Sequence, residues 1–194
     1  MSKSTVSAPK AHALLGASSS ARWLACSPSA RMCADIPETE SPYAAEGTLA
    51  HEICELKLTK AYTLALGPKA FTTRLNKLKK HELYQDEMLK CADVYLEYID
   101  SIMLSYPSTP HIAIERRVDY SAYVPEGFGT ADCIIVYGDT LHVVDYKHGK
   151  GVPVSADHNP QMMLYALGAL KAYQMLYNIH TIKMSIVQPR LDSI

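Results

Sequence analysis

The stretch Ala131–Lys150, ADCIIVYGDTLHVVDYKHGK, decides the fold. Residues 133–137 and 141–146 are rich in Ile, Val and Tyr, the types that suit a pleated, half-buried surface. Gly138-Asp139 between them is a two-residue turn signal, so the stretch reads as a β-hairpin. The two-residue loop sets the register. Tyr137 then faces Thr140, Ile135 faces His142, and Asp132 faces Asp145. Opposed residues have Cβ atoms about 4.5–5.5 Å apart, and like charges at that distance destabilise a sheet. Two facing carboxylates need an opposite charge, and a divalent cation with oxygen ligands supplies one. Lys147 falls on the same face as Asp145 by strand alternation. Val143-Val144 running into Asp145 reads as a strand leaving a buried sheet, and sites in α/β sheets sit at strand ends. By itself the hairpin points to a metal or phosphate site. The bland alternative is a surface strand of alternating charge.

Upstream of the hairpin, HIAIERRVDY (His111–Tyr120) is a strand candidate, and Gly127 and Gly129 are turn residues. Glu115 on that strand is most simply the ion-pair partner of a nearby arginine. The segment from His81 to Tyr106 carries Tyr84, Met88, Cys91, Tyr95, Ile99 and Ile102 at helical spacing, a stripe suited to core packing. Phe71 to Lys80 is basic, through Arg74, Lys77, Lys79 and Lys80, and is either a solvated turn or a phosphate-facing segment. A helix is expected from Ala44 to about Leu66, stopped by Gly67-Pro68 and carrying Glu46 and His51. Ser18-Ser19-Ser20 can cap a short helix with Trp23, Leu24 and Cys26, and Pro28 begins a second short turn. Downstream, residues 149–159 form a loop with Lys150. Asn159 caps a helix starting at Pro160 and running to about Tyr177, with Gln161 and Tyr165 four apart on one face. Residues 182–187 are a last strand. The chain therefore reads as α/β, a mixed central sheet flanked by helices. Residues 1–17 are expected to be a loose arm, and 18–194 one domain.

Composition sets bounds on function. At 194 residues, 48% hydrophobic and 20% charged, the chain suits an ordinary globular domain. A formal net charge of −1 gives no global nucleic-acid footprint, so any such binding rests on local patches. The five cysteines are odd in number and scattered without a CxxC, which argues for reduced thiols and a cytoplasmic compartment. No apolar run is long enough for a membrane span. Singly, His51 reads as a helix histidine, Glu46 as a helix residue near a favourable dipole, and Gln161 and Tyr165 as polar residues on an exposed helix face.

Taken together and in order, EGTLAH, GTADCII, VVDYK and QMMLY resemble the RecB-like branch of the PD-(D/E)xK nuclease superfamily. SSSARWLACSPSAR and VVDYKHGKGVPVSADHNPQMMLYALGA are similar to a bacteriophage and prophage family in that branch, from about Ser18 to Arg190. The resemblance implies a restriction-endonuclease-like core and a Mg²⁺- or Mn²⁺-dependent deoxyribonuclease, most simply an exonuclease, acting on DNA in a bacterial host. It assigns His51, Asp132 and Asp145 as metal ligands, with the Tyr146 backbone carbonyl beside them. Lys147 becomes the catalytic lysine. Gln161 and Tyr165, with Lys150 and the 74–80 run, would hold the DNA strand. Glu46 and Glu115 are supports. The rival reading is a non-catalytic nuclease-fold module that binds DNA or a host recombination or defence protein.

One departure from that family is visible. Similar chains hold an iron–sulfur cluster on one early cysteine and three late ones. Here Cys26 stands at the early position and no cysteine follows Cys133. A full cluster needs four thiolates. The expectation is a chain lacking the family's C-terminal part, no cluster, and Cys26 as an orphaned ligand or a buried thiol.

Overall fold

A computed structural model describes residues 13–34, 36, 41–63 and 66–194. Residues 1–12 of the expected arm lie outside the described residues, as do parts of the connection after Ala34. The last residue of that arm, Ala17, is buried in the core and opens a 3₁₀ turn, Ala17–Ser19. Two short helices follow, α1 (Ser20–Ala25) and α2 (Ser29–Met32). The serines do not cap them. Ser19 Oγ donates instead to the carbonyl of Gly16, which also accepts from the Trp23 indole.

Helix α3 (Pro42–Tyr62) starts with Pro at its first turn, and the Ser41 hydroxyl accepts from Ala44 N. Gly67-Pro68 does more than stop it. Pro68 begins α4 (Pro68–Leu78), so the basic segment is helical rather than a turn. Its charges face water, while Phe71, Leu75 and Leu78 form a short half-buried stripe at helical spacing. Helix α5 (Asp86–Leu104) begins later than His81, because residues 81–85 are a turn with the Tyr84 amide on the His81 carbonyl. Its expected stripe is buried at Met88, Cys91, Tyr95 and Ile99.

Four strands follow the expected order: β1 (His111–Asp119), β2 (Phe128–Tyr137), β3 (Thr140–Tyr146) and β4 (Thr181–Val187). They form one mixed sheet in the order β1-β2-β3-β4, with the last pair parallel. Between β3 and β4 the chain crosses through α6 (Pro160–Tyr173). Asn159 caps α6 through the amides of Gln161 and Met162. The helix ends before Tyr177, in a turn.

The sheet has a helical layer on each side. Ile134, Val136, Leu141 and Val143 pack with Met162, Ala166 and Ala169 of α6. Cys133, Ile135, Val144 and Tyr146 pack with α3 and α5 through Ile53, Met88, Tyr95 and Ile99. The molecule is thus α/β, a mixed sheet flanked by helices. Among the described residues no helix is long and apolar enough to cross a membrane. All five cysteines are free, and Cys26 is exposed rather than buried.

Candidate metal centre

The hairpin register stands at Tyr137–Thr140, Ile135–His142 and Cys133–Val144. Gly138 takes φ 57° and Asp139 does not have positive φ, the pattern of a turn that needs glycine first. The ladder ends at Cys133–Val144, one pair short of Asp132 and Asp145. Asp132 therefore does not simply face Asp145. Its Oδ2 instead accepts the Tyr146 backbone N–H at 2.7 Å.

A matching interruption lies across β1 and β2. Pairing steps from Ile114–Cys133 to Arg116–Ala131, leaving out Glu115 and Asp132. Glu115 has φ 47°, a left-handed backbone that is rare for a side chain of this size. Alternation breaks there too. Ala131 and Ile134 are both in the α6-side core, whereas Cys133 belongs to the α3/α5 side. With Ala131 turned toward α6, its neighbours Thr130 and Asp132 point to the other side, toward α3.

Helix α3 brings His51 to this interruption. His51 Nδ1 lies 3.4 Å from Asp132 Oδ2, and its ring meets the buried Tyr146 ring edge-on at 5.2 Å. The Tyr146 hydroxyl is held in turn by His148 Nδ1 at 2.8 Å. His51, Glu115 and Asp132 each offer a ligand atom within 4.8 Å of the others, all half-buried. The structure thus gathers a set that differs from the expected one. Glu115 is no ion-pair partner of an arginine among the described residues but stands with His51 and Asp132. Asp145 is beside the three rather than within them.

Asp145 is 1% exposed at the C-terminal end of β3. Its Oδ1 accepts from Gln161 Nε2 at 3.3 Å. Lys147 Nζ lies 2.9 Å from Oδ2 and is the charge partner of that buried oxygen. Gln161 also accepts from Lys147 Nζ at 3.1 Å and donates to the Tyr165 hydroxyl at 3.2 Å. So α6 supplies a bracket for the aspartate–lysine pair, not an exposed polar face, and Tyr165 is buried.

The electrostatics match a centre short of positive charge. Burial, and then the neighbouring Asp132, raise the Asp145 carboxyl above its ordinary range, against the opposing pull of Lys147. Glu115 is pushed up to about 8 by burial, then by Asp132, Glu55 and Asp145. A glutamate held against ionisation beside two further carboxylates is what a cation would relieve. On the donor chemistry, three carboxylates and one imidazole fit Mg²⁺ or, better, Mn²⁺.

One expected support stands elsewhere. Glu46 is turned to Arg190 Nη1 at 2.8 Å and His148 Nε2 at 3.2 Å, and Arg190 Nη2 reaches Glu87 on α5 at 3.0 Å. Lys150 is exposed on the loop after β3. Glu115 and Arg190 escaped their roles in the sequence for a shared reason. Residues 120–127 between β1 and β2 give no fixed turn length, so the β1 register is not readable, and Arg190 acts across 144 positions of chain. The doublet ERR in a strand is the one local signal at Glu115.

A family model described as "Protein of unknown function (DUF2800)" matches residues 12–194, nearly the whole chain.

Proposed function

The chain belongs to the DUF2800 family, and we propose that it is a metal-dependent DNA nuclease hydrolysing phosphodiester bonds in recombination, repair or degradation. The observation that carries this reading is the meeting of His51, Glu115 and Asp132 beside the buried Asp145–Lys147 pair. These four side chains would hold Mg²⁺ or Mn²⁺. When bound, the ion supplies Lewis acidity to the scissile phosphate and makes water a stronger acid.

The remaining chemistry belongs to the chain. Lys147 carries its ammonium next to Asp145 and donates to charge that develops on the phosphate oxygens. Gln161 fixes that ammonium by accepting from it, and Tyr165 anchors Gln161. The Tyr146 amide holds Asp132 in place, and the Tyr146 ring holds the His51 ring. Lys150 reaches the strand backbone without reading bases. Exonucleolytic action, a phage or prophage origin and the bacterial cytoplasm complete the proposal. They rest on the motif resemblance and, for the compartment, on the free cysteines.

The test is degradation of linear DNA with Mn²⁺ by the wild-type chain, Asp145→Ala and Lys147→Ala. Expected is Mn²⁺-dependent cleavage that falls about 100-fold or more in each variant. Equal activity in all three overturns the assignment. Mn²⁺ binding with no cleavage by the wild type favours the non-catalytic DNA-binding module instead.

A further inference from the structure

Beyond the carboxylates the sheet continues into a cleft of about 810 Å³, walled by the 13–36 segment on one side and by the first residues of β2 on the other. Arg22, Arg117, Ser19, Phe128, Thr130 and Tyr165 contribute to its lining. Among the described residues no carboxylate lines it and neither arginine has an ion-pair partner. Arg117 is held over the Phe128 ring, 3.6 Å from its centroid, which fixes the guanidinium without neutralising it.

The register ties this cleft to the metal centre. Arg117 and Thr130 are cross-strand partners, two residues along β1 and β2 from Glu115 and Asp132. Val118 and Ala131 are in the α6-side core. Alternation therefore turns Arg117 and Thr130 to the same side of the sheet as Glu115 and Asp132. Two strand residues span about 7 Å. That is comparable to the step between neighbouring phosphates on an extended nucleic-acid strand. An acidic pair suited to a cation is thus followed, one phosphate step on, by an arginine and a hydroxyl suited to an anion. Tyr165 spans both places, lining the cleft while its hydroxyl meets Gln161 of the metal centre.

We propose that the Arg22–Arg117 cleft is the subsite for the backbone phosphate next to the scissile one, and that it admits a single nucleic-acid strand rather than a duplex. This rests on the nuclease reading for its orientation. The cleft's volume is that of a small-molecule site, enough for a nucleotide-sized segment between its two walls. Arginine paired with a hydroxyl is a donor set for phosphate.

The experiment is fluorescence anisotropy of labelled oligonucleotides with the full chain in EDTA, where binding is read without cleavage. Wild type, Arg117→Ala, Arg22→Ala and the double variant are compared across a salt series, with thermal melts to confirm folding. Both arginines are exposed, so the variants are expected to fold. Expected is single-strand binding about tenfold weaker in each single variant. The double variant's log affinity should fall less steeply with log salt, by about 0.7 in slope for the one phosphate no longer neutralised. Unchanged single-strand affinity and slope in the double variant overturn the subsite. So does a duplex that binds the wild type as tightly as the single strand. A 5′-phosphate requirement for binding would also overturn it, by making the ligand a strand end instead of an internal phosphate. Separate Mn²⁺ cleavage assays keep the two ideas apart. Cleavage retained by a double variant with unaltered binding sinks the cleft alone. Intact arginine-dependent binding without any cleavage sinks the nuclease reading alone.

Discussion

Glu115 concentrates the cost of the centre in one residue. It holds a left-handed backbone, φ 47°, in the middle of a strand, where such a conformation costs about 1–3 kcal/mol. It also carries a carboxyl moved from its ordinary 4.5 to about 8, chiefly by burial. The sign follows from linkage. A carboxylate whose folded pKa is raised binds its proton more tightly in the folded state. Its contribution to stability is full below about 4.5 and is lost as pH rises toward 8. In metal-free protein, Glu115→Gln is therefore expected to melt like wild type near pH 4.5 and higher than wild type near pH 8. Thermal melts in EDTA check this, and parallel pH profiles would contradict it. Adding Mn²⁺ should reverse the order at pH 8, because only the wild type gains the full binding free energy. Under the proposal, a bound cation would offset that strain and charge.

Helix α6 shows how an element delivers a site. Pro160 and the Asn159 cap fix its start, one residue before Gln161. Gly168, two turns on, lets it lie against β1. A Cβ there would stand 2.9 Å from Val118 Cβ and 3.4 Å from the Asp119 carbonyl carbon. Gly168→Ala is expected to cost about 1–3 kcal/mol by overpacking. It should also reduce Mn²⁺-dependent cleavage, since Gln161 rides on the same helix. Denaturant melts and cleavage assays read the two effects, and full stability with full activity would contradict the close approach. The same helix was legible in the sequence because cap, proline and apolar run agree. The β2–β3 hairpin was legible because Gly138-Asp139 leaves one register. Helix α4 was not, because its stripe of Phe71, Leu75 and Leu78 is short, only half-buried and set among basic residues. The meeting of Glu115 with Asp132 was not, because it depends on a break in pairing that two strands share. Local pattern therefore singled out Asp132, Asp145 and Lys147 as candidates, while the place of Glu115 beside Asp132 needed tertiary structure.

At the scale of the whole molecule, polar ties join the layers. Arg190, just past β4, reaches Glu46 on α3 and Glu87 on α5. The Arg190 side chain is 7% exposed, so its removal leaves the half-buried Glu46 with His148 alone as partner. Arg190→Ala is expected to cost about 3 kcal/mol in a denaturant melt, and an unchanged midpoint would contradict the tie. On the α5 side, His142 meets Ser185 Oγ at 2.8 Å, and the same oxygen meets the Tyr98 hydroxyl at 2.7 Å. Burial moves His142 from 6.5 down to about 4, so the fold holds it neutral. The unfolded chain then binds the extra proton first, and stability is lost as pH falls from 6.5 toward 4. His142→Gln should flatten that acid limb in melts across this window, and an unchanged limb would contradict the assignment. These ties hold the two helical layers on one sheet, so that His51 from one side and Gln161 from the other converge on the end of β3. The proposal places a divalent cation at that convergence. A crystal grown with Mn²⁺ and measured at the manganese edge tests that most directly. Expected is an anomalous peak within ligand reach of His51, Glu115 and Asp132, with Asp145 alongside, whereas a well-ordered centre without a peak would contradict the account.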